Sequence, residues 1–392
     1  MNNQTLIVPG AAILVTGGAG YIGAHTCRAL HKAGFVPVVY DDLSAGHREA
    51  VRWGEMVDGD IRDGHALRAA MSHYRVSAVI HFAGLIEVGR STIRPDLFYD
   101  VNVNGLARVL EAMRDERVGR IVFSSSAAVY GQQSADRSQQ DLDEDAEKRP
   151  VSPYGDTKLA GERMMASFAV AFGYSGVALR YFNAAGADAS GVIGEAHEPE
   201  THLIPLAIKA ALGSGGPLTV FGDDFPTPDG TCLRDYVHVT DLAAAHVAAL
   251  SFELEPGAFE ALNLGCGEAR SVWEVIRAVE AEIGAVPHSV GSRRAGDPAK
   301  LVASPARALQ ALNWKTQHSS IEEIVRTAAA WHRCPAYPRA PNLLKPQQEK
   351  LVSWGQGPPQ PTSYEPKSLL QRAYIKPQTI EHRRLQHRKI AA

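Results

Sequence analysis

The sequence predicts an α/β chain: a doubly wound parallel sheet, with a smaller α/β substrate-binding part towards the carboxyl end. Three observations carry that expectation. Short apolar runs at 12–15, 36–40, 78–84, 119–123 and 176–183 alternate with helix-like stretches, the spacing of βαβ units. The first run passes directly into a glycine-rich turn and then a helix-like segment reaching about Lys32. Tyr154 and Lys158 stand four residues apart in a segment that opens with Ser152-Pro153, which reads as a helix start.

With 392 residues the chain can hold two domains and bury a large core. A formal net charge of −3 with 21% charged residues leaves no basic surface for nucleic acid. The four cysteines (Cys27, Cys232, Cys266 and Cys334) lie far apart, without CxxC or zinc spacing. They suit a reducing cytoplasm, and no metal is expected. No apolar run reaches membrane-spanning length, and MNNQTLIVPG lacks a signal-peptide pattern, so no membrane partner is expected.

In chain order, residues 12–15 read as a buried strand. Gly17, Gly20 and Gly23 follow as GxxGxxG around Tyr21 and Ile22. Such glycines permit a tight turn, close backbone approach to a pyrophosphate and close helix packing, with phosphates at the helix amino end. This is a variant of the dinucleotide fingerprint of the Rossmann fold, and it sits where its mechanism requires. The next strand, 36–40, ends at Asp41-Asp42. An acid at that distance accepts from ribose hydroxyls and repels a 2′-phosphate, which favours NAD over NADP; Asp42 can share the role. Asp60, in Gly59-Asp60-Ile61, is a candidate for the adenine amine or a turn residue.

Residues 78–84 form a strand with the small-residue exit Phe82-Ala83-Gly84, and His81 within it reads as a packed histidine. Asn102 to about Arg114 reads as a helix. The strand at 119–123 delivers the run Ser124-Ser125-Ser126 to its carboxyl end, where doubly wound sheets bind ligands. Residues 136–149 form a polar surface loop before the Tyr154 helix. On that helix Tyr154 and Lys158 share a face. An ammonium beside a phenol favours the phenolate, a base able to take a proton from a sugar hydroxyl near neutral pH. With the serines they make a Ser-Tyr-Lys set.

Composition changes near Gly186, and a helix begins at 202–209. Strands follow at 218–222 and 231–239. Arg234, Arg293 and Arg294 can clamp a diphosphate, or each can be a structural ion-pair partner, such as Arg234 with Asp241. A helix from about Ile321 to Arg333 closes the globular part. The organisation expected is therefore a nucleotide domain at 11–185, a mainly substrate domain at 186–334, and a poorly ordered Pro- and Gln-rich tail at 335–392.

Together TGGAGYIG, GDIRD, HFAG, VNG, FSSSAAVYG, SPYGDTK, LRYFNAAG, GTCLRDYVHV, NLGCG and SRRAGD resemble the extended short-chain dehydrogenase/reductase family, most closely its UDP-glucose 4-epimerase members. They run in order over about 11–334. The resemblance implies that Tyr154 is the base, that Lys158 tunes it and holds the nicotinamide ribose, and that Ser126 hydrogen-bonds the sugar 4-oxygen. It implies tightly bound NAD held by Gly17, Gly20, Tyr21, Ile22, Gly23 and Asp41. Asp60 and Ile61 would lie along the adenine, with Phe82, Ala83, Gly84, Ser124 and Tyr181 also beside the cofactor. Phe182, Asn183, His202, Leu203, Phe221, Arg234, Arg294 and Asp297 would surround a UDP-hexose. The implied reaction interconverts UDP-galactose and UDP-glucose through a transient 4-keto sugar. A homodimer through two helices of the nucleotide domain is also implied, and the apolar spacing at 105–113 permits it.

The sequence departs from the family pattern at four places. Ile86 stands for a lysine, Ala128 for a threonine, His202 for an asparagine and Leu301 for a gate tyrosine. The smaller Leu301 would admit N-acetylated sugars. Other UDP-sugar 4-epimerases are the nearest competing reading. A 4,6-dehydratase is disfavoured because Ala127-Ala128 occupies the place of its acid–base pair. A silent NAD-sensing protein would usually lose the tyrosine or lysine, and both are present.

Overall fold

A computed structural model describes residues 7–133, 140–294 and 297–337, which fall within one compact unit. The expected doubly wound sheet is present. Its strands are β1 (Ala12–Thr16), β2 (Val36–Asp41), β3 (Glu55–Asp58), β4 (Ala78–His81), β5 (Arg120–Ser126), β6 (Ser175–Tyr181) and a seventh, Phe259–Leu264. Their spatial order is Phe259–Leu264, β6, β5, β4, β1, β2, β3, and every pairing is parallel. The winding direction therefore reverses between β1 and β4, which opens a crevice at their carboxyl ends, Thr16 and His81.

The apolar runs are strands because both faces of this sheet are covered. Ile13, Val15, Val39, Ile80 and Val122 pack on one side with Leu30, from the helix Tyr21–Lys32, and Leu242 and Ala245, from the helix Val239–Leu250. The alternate residues Leu14, Val38, Tyr40, Val79 and Ile121 pack on the other side. There they meet Leu67 from the helix Gly64–His73, Leu106 and Leu110 from Gly105–Glu116, and Met165 from Pro153–Phe172. Successive strand residues thus feed two separate cores, as a side-chain period of two demands.

The apolar stripe at 105–113 is spent in this second core: Leu106, Val109, Leu110, Ala112 and Met113 are all buried within the chain. The spacing is thus accounted for by packing within the chain and by itself gives no argument for a second copy.

A further core joins the helices Leu203–Ala211, Val272–Glu282 and Ile321–Arg333 to the parallel strands Leu218–Phe221 and His288–Gly291. Two predicted strands are each divided. The 231–239 run becomes Leu233–Arg234 and Tyr236–His238. Between them Asp235 is fully buried, its carboxylate accepting from the backbone N–H groups of Cys266, Gly267 and Ala303. The 176–183 run ends at Tyr181, and Asn183–Ala185 pairs instead with Tyr236–His238.

The folded part also extends past the boundary expected at residue 335. Tyr337 is buried against Trp331 and His47 and donates to the Gly194 carbonyl at 3.1 Å. The rest of the expected tail, 338–392, lies outside the described residues, as does 134–139 of the polar loop.

Beneath the Tyr154 helix lies a buried polar assembly. Arg180 on β6 forks onto Glu162 of the helix, Nε to Oε1 at 2.8 Å and Nη2 to Oε2 at 2.6 Å, with both side chains about 5% exposed or less. Glu162 Oε1 also accepts from the Ser125 hydroxyl at 2.5 Å. Arg180 Nη1 donates to the Tyr130 hydroxyl at 3.0 Å, which donates to Asn263 at 2.6 Å. One guanidinium thus ties the helix to β5, β6 and the seventh strand.

Removing one partner of such a pair strands the other charge in the core. Glu162→Leu is expected to lower unfolding free energy by about 3–5 kcal/mol, read from urea denaturation. A loss below about 0.5 kcal/mol, the range of ordinary surface substitutions, would show that the pair contributes little.

Candidate active site

The three turn glycines have distinct physical reasons. Gly17 has φ of +72°, and a Cβ there would lie 2.6 Å from the Ala83 nitrogen on the β4 exit. At Gly23 a Cβ would lie 2.2 Å from the Gly17 carbonyl oxygen, so the helix can approach the turn only without a side chain. Gly20 is different: a Cβ would meet only the Gly17 oxygen, at 3.3 Å. Packing therefore does not demand glycine at 20, and the room above its backbone suits a close-approaching phosphate. The helix Tyr21–Lys32 begins there without a side-chain cap, leaving its first N–H groups without intrahelical acceptors.

Asp41 ends β2 beside this turn. Its carboxylate accepts from the backbone nitrogens of Ala19 at 3.0 Å and Leu43 at 2.9 Å. Burial raises its pKa to about 6, against the opposing effect of those two hydrogen bonds. Asp60 lies at the end of the β3 segment but is engaged by Arg62 Nε at 3.0 Å, which holds its carboxyl below the usual range. Ile61 is buried against Gly105. Tyr21 directs its hydroxyl away to the Gly186 carbonyl at 2.6 Å. Phe82 packs on His246 with ring centroids 4.6 Å apart. His81 is the packed histidine expected: its Nδ1 lies 2.7 Å from Thr16 Oγ1, and burial lowers it to about 3.

Ser152 caps the helix Pro153–Phe172 by accepting from the Gly155 nitrogen at 3.2 Å, with Pro153 in the first turn. This start places Tyr154 and Lys158 one turn apart on the face towards β5. Lys158 Nζ lies 5.8 Å from the Tyr154 ring centroid and donates to the Ser124 carbonyl at 2.8 Å. Ser126 Oγ accepts from the Ala128 nitrogen at 3.1 Å, and the same side chain acts on the Tyr154 phenol, favouring its ionised form. The Ser-Tyr-Lys set is assembled.

Its electrostatics differ from the expectation that the lysine depresses the phenol. Burial raises the Tyr154 phenol, and the Ser126 hydrogen bond offsets only part of that rise. Burial also lowers the Lys158 ammonium to about 8, with Glu162 acting to raise it. The physical reason is that a site with little water penalises both charged forms, while the amine points its hydrogen bond at a carbonyl.

Sequence reading missed Asn102 as a site residue. Its side chain accepts from the Leu85 nitrogen at 2.8 Å and donates to the Leu85 carbonyl at 3.0 Å and Thr157 Oγ1 at 3.1 Å. It thereby pins the β4 exit loop, where Ile86 is 43% exposed, to the Tyr154 helix. It also sets the space at Gly84, where a Cβ would lie 2.9 Å from Asn102 Oδ1.

On the opposite wall, the Tyr181 hydroxyl shares a hydrogen bond with Ser124 Oγ. Phe182 and Leu301 both pack on the apolar group containing Ala127 and Leu159. Leu301 is paired in register with Arg234. Arg234 and Arg294 converge on Asp297, at 3.7 Å and 2.9 Å, and Arg294 lies 4.9 Å above the Phe221 ring. Asn183 Oδ1 is buried without a hydrogen-bond partner, an acceptor suited to a ligand donor. Arg293 stands apart, paired with Asp224. The Arg234–Asp241 pair does not form, because Asp241 instead accepts from the Gln317 and His318 nitrogens. His202 turns its Nδ1 to Glu195 and Glu200, at 2.7 and 3.4 Å, and Leu203 begins the helix beyond it.

This arrangement can be set beside known proteins. Residues 13–265 match the NAD dependent epimerase/dehydratase family. A UDP-glucose 4-epimerase of Rhizobium meliloti (strain 1021) is 47% identical over 322 residues, 82% of this chain and 96% of that protein. The crystal structure of UDP-glucose 4-epimerase from Brucella ovis in complex with NAD superposes with a TM-score of 0.79 at 48% identity, covering 82% of this chain and 98% of that one. The UDP-Glc/GlcNAc 4-epimerase of Campylobacter jejuni gives a TM-score of 0.72 at 34% identity, covering 83% and 99%. With sheet, glycine turn and Ser-Tyr-Lys set in place and likeness of this extent, the chain belongs to the NAD dependent epimerase/dehydratase family.

Proposed function

We propose that this protein is a UDP-glucose 4-epimerase, interconverting UDP-galactose and UDP-glucose. The observation that carries the reading is a chain of contacts. Ser126 is followed by Ala127, on whose apolar group Leu301 packs, and Leu301 pairs with Arg234 of the Asp297-centred arginines. The serine end and the arginine end of the candidate site are thus linked through one apolar group and one strand pairing. Within the family, epimerisation and dehydration divide on the two residues after the serine. Here Ala127 is buried and Ala128 bears no acid or base, so elimination of water lacks its catalyst.

The cofactor is NAD. The open approach at Gly20 and the uncapped helix start fit its pyrophosphate, and Asp41 fits an unphosphorylated adenosine ribose. When bound, NAD supplies the acceptor, and afterwards the donor, of the C4 hydride. Ser126 holds the sugar 4-oxygen, and Tyr154 removes the 4-hydroxyl proton and later returns it to that same oxygen, while inversion comes from the other face of C4 being turned to the cofactor for the returning hydride. Lys158, anchored on the Ser124 carbonyl, positions the ribose of the cofactor. Arg234 and Arg294 hold the diphosphate while the 4-keto sugar turns about it. Holding the nucleotide firmly and the hexose loosely is what inversion at one carbon requires. On this reading residues 11–185 serve mainly the dinucleotide and 186–334 the nucleotide-sugar.

A homodimer and a cytoplasmic location complete the proposal. Ile93 is 77% exposed and Tyr99 45% exposed on the helical segment before Gly105, an apolar surface that a second copy would cover. All four cysteines are free, and among the described residues no helix is long and apolar enough to cross a membrane.

Tyr154→Phe is expected to reduce turnover by about 10²–10⁴-fold while bound NAD, released by acid and measured, stays at the parental level. Near-parental turnover would remove Tyr154 from the base role. The purified protein, without added NAD, is expected to convert UDP-galactose to UDP-glucose. UDP-N-acetylgalactosamine run in parallel tests the wider sugar range suggested by Leu301. Conversion of both sugars would establish dual specificity. Conversion of the first alone would show that Leu301 does not widen the pocket, and reaction of neither, even with added NAD, would defeat the epimerase reading.

A further inference from the structure

The segment 195–202, which leads into the helix Leu203–Ala211, gathers four side chains apart from the Ser-Tyr-Lys set. His202 Nδ1 lies 2.7 Å from Glu195 Oε1 and 3.4 Å from Glu200 Oε1. His197 Nδ1 lies 3.8 Å from each of the same two oxygens. One ligand atom from each of the four residues falls within 4.8 Å of all the others. Four ligands at about 2.0–2.2 Å around a tetrahedral zinc stand about 3.3–3.6 Å apart, so only small side-chain shifts separate this set from a coordination shell.

A second observation points the same way. Glu195 is 3% exposed, yet its Oε1 has no hydrogen-bond partner, and neither does the buried Nδ1 of His202 that faces it. The two atoms lie 2.7 Å apart within the group of four, both aimed into the same small space.

The backbone of the segment is anchored at Glu195 and Ala196 by side chains outside the four groups, and at 201–202 by Glu200 itself. Trp331 Nε1 donates to the Glu195 carbonyl at 2.8 Å, and His47 Nε2 lies 2.8 Å from the Ala196 carbonyl. Glu200 Oε1 accepts from the Thr201 and His202 nitrogens at 2.8 and 3.0 Å. Carboxylates fixed in this way by outer hydrogen bonds are characteristic of metal ligands.

We propose that Glu195, His197, Glu200 and His202 form a structural divalent-cation site, with zinc its preferred ion. Two imidazoles and two carboxylates in four-coordinate geometry favour zinc over magnesium or calcium, which take more oxygen ligands. Each histidine binds through Nδ1, so each carries its proton on Nε2. The ion clamps 195–202 onto the start of the helix Leu203–Ala211, whose first residues are candidates for nucleotide contact. The expectation of no metal had rested on cysteine spacing, and this set contains none. The site does not depend on the epimerase reading.

Full-length, untagged protein is stripped with EDTA, dialysed and titrated with zinc chloride against a chromophoric chelator. Metal content after dialysis is read by inductively coupled plasma mass spectrometry. The parent is expected to retain about one zinc per chain. Glu195→Gln and His197→Ala are each expected to weaken zinc binding by at least about tenfold. Cobalt is expected to give visible absorption of a four-coordinate ion in the parent that both variants lose. Thermal unfolding without metal separates loss of the site from loss of the fold, and His197→Gln serves if the alanine variant is unstable. Retention of less than about 0.1 zinc per chain, or equal uptake by parent and folded variants, overturns the site. The four groups would then be a histidinium–carboxylate network alone.

Discussion

The forked pair between Arg180 and Glu162 is the contact on which the catalytic geometry rests. It lies between the sheet and the Pro153–Phe172 helix, one turn beyond Lys158 and two beyond Tyr154. Both charges are out of water, so the pair persists only because every donor and acceptor around it is engaged. Ser125, Tyr130 and Asn263 complete that engagement. Ser125 adjoins both Ser124, whose carbonyl receives Lys158, and Ser126. The same network therefore sets the helix on the sheet and sets the serine run against the helix.

Above that buried layer the site is shaped by desolvation. Lys158 is 3% exposed, and its amine titrates near 8 because burial disfavours its charge while Glu162 below supports it. The phenol of Tyr154 is shifted upwards by the same low-dielectric surroundings. A proton on either group is thus governed by small changes in nearby charge. The opposite wall has another character. Arg234 and Arg294 are already paired with Asp297, so their charge is compensated within the chain.

The elements that sequence reading found are those whose cause is local. The sheet appears as apolar runs because both faces of each strand are buried, and Ile13, Leu14 and Val15 feed opposite cores in turn. The Ser152-Pro153 start and the four-residue spacing of Tyr154 and Lys158 follow from helix geometry alone. The glycine turn is legible for the same reason, since its conformation and its close approaches arise within a few residues, except for the contact of Gly17 with Ala83. Glu162 carried a fainter local signal, standing four residues beyond Lys158 on the same helical face.

Where several distant segments compete for one group, local reading gave the wrong partner or none. Arg234 was offered Asp241, seven residues along, but strand pairing with 300–301 brings Asp297 to it, and Asp241 is taken by the loop at 317–318. Asn102 reads as a helix opener, yet it bridges Leu85 and Thr157 because the β4 exit loop meets the Pro153–Phe172 helix there. The apolar spacing at 105–113 is legible in the sequence, but only the packing of Leu67 and Met71 against it shows that the chain buries it itself. Short-range patterning thus determined the fold class, the dinucleotide turn and the Tyr–Lys pair. The tertiary structure decided which charges meet, which apolar faces are consumed and how strongly burial shifts each proton, because those depend on distances between residues far apart in the chain.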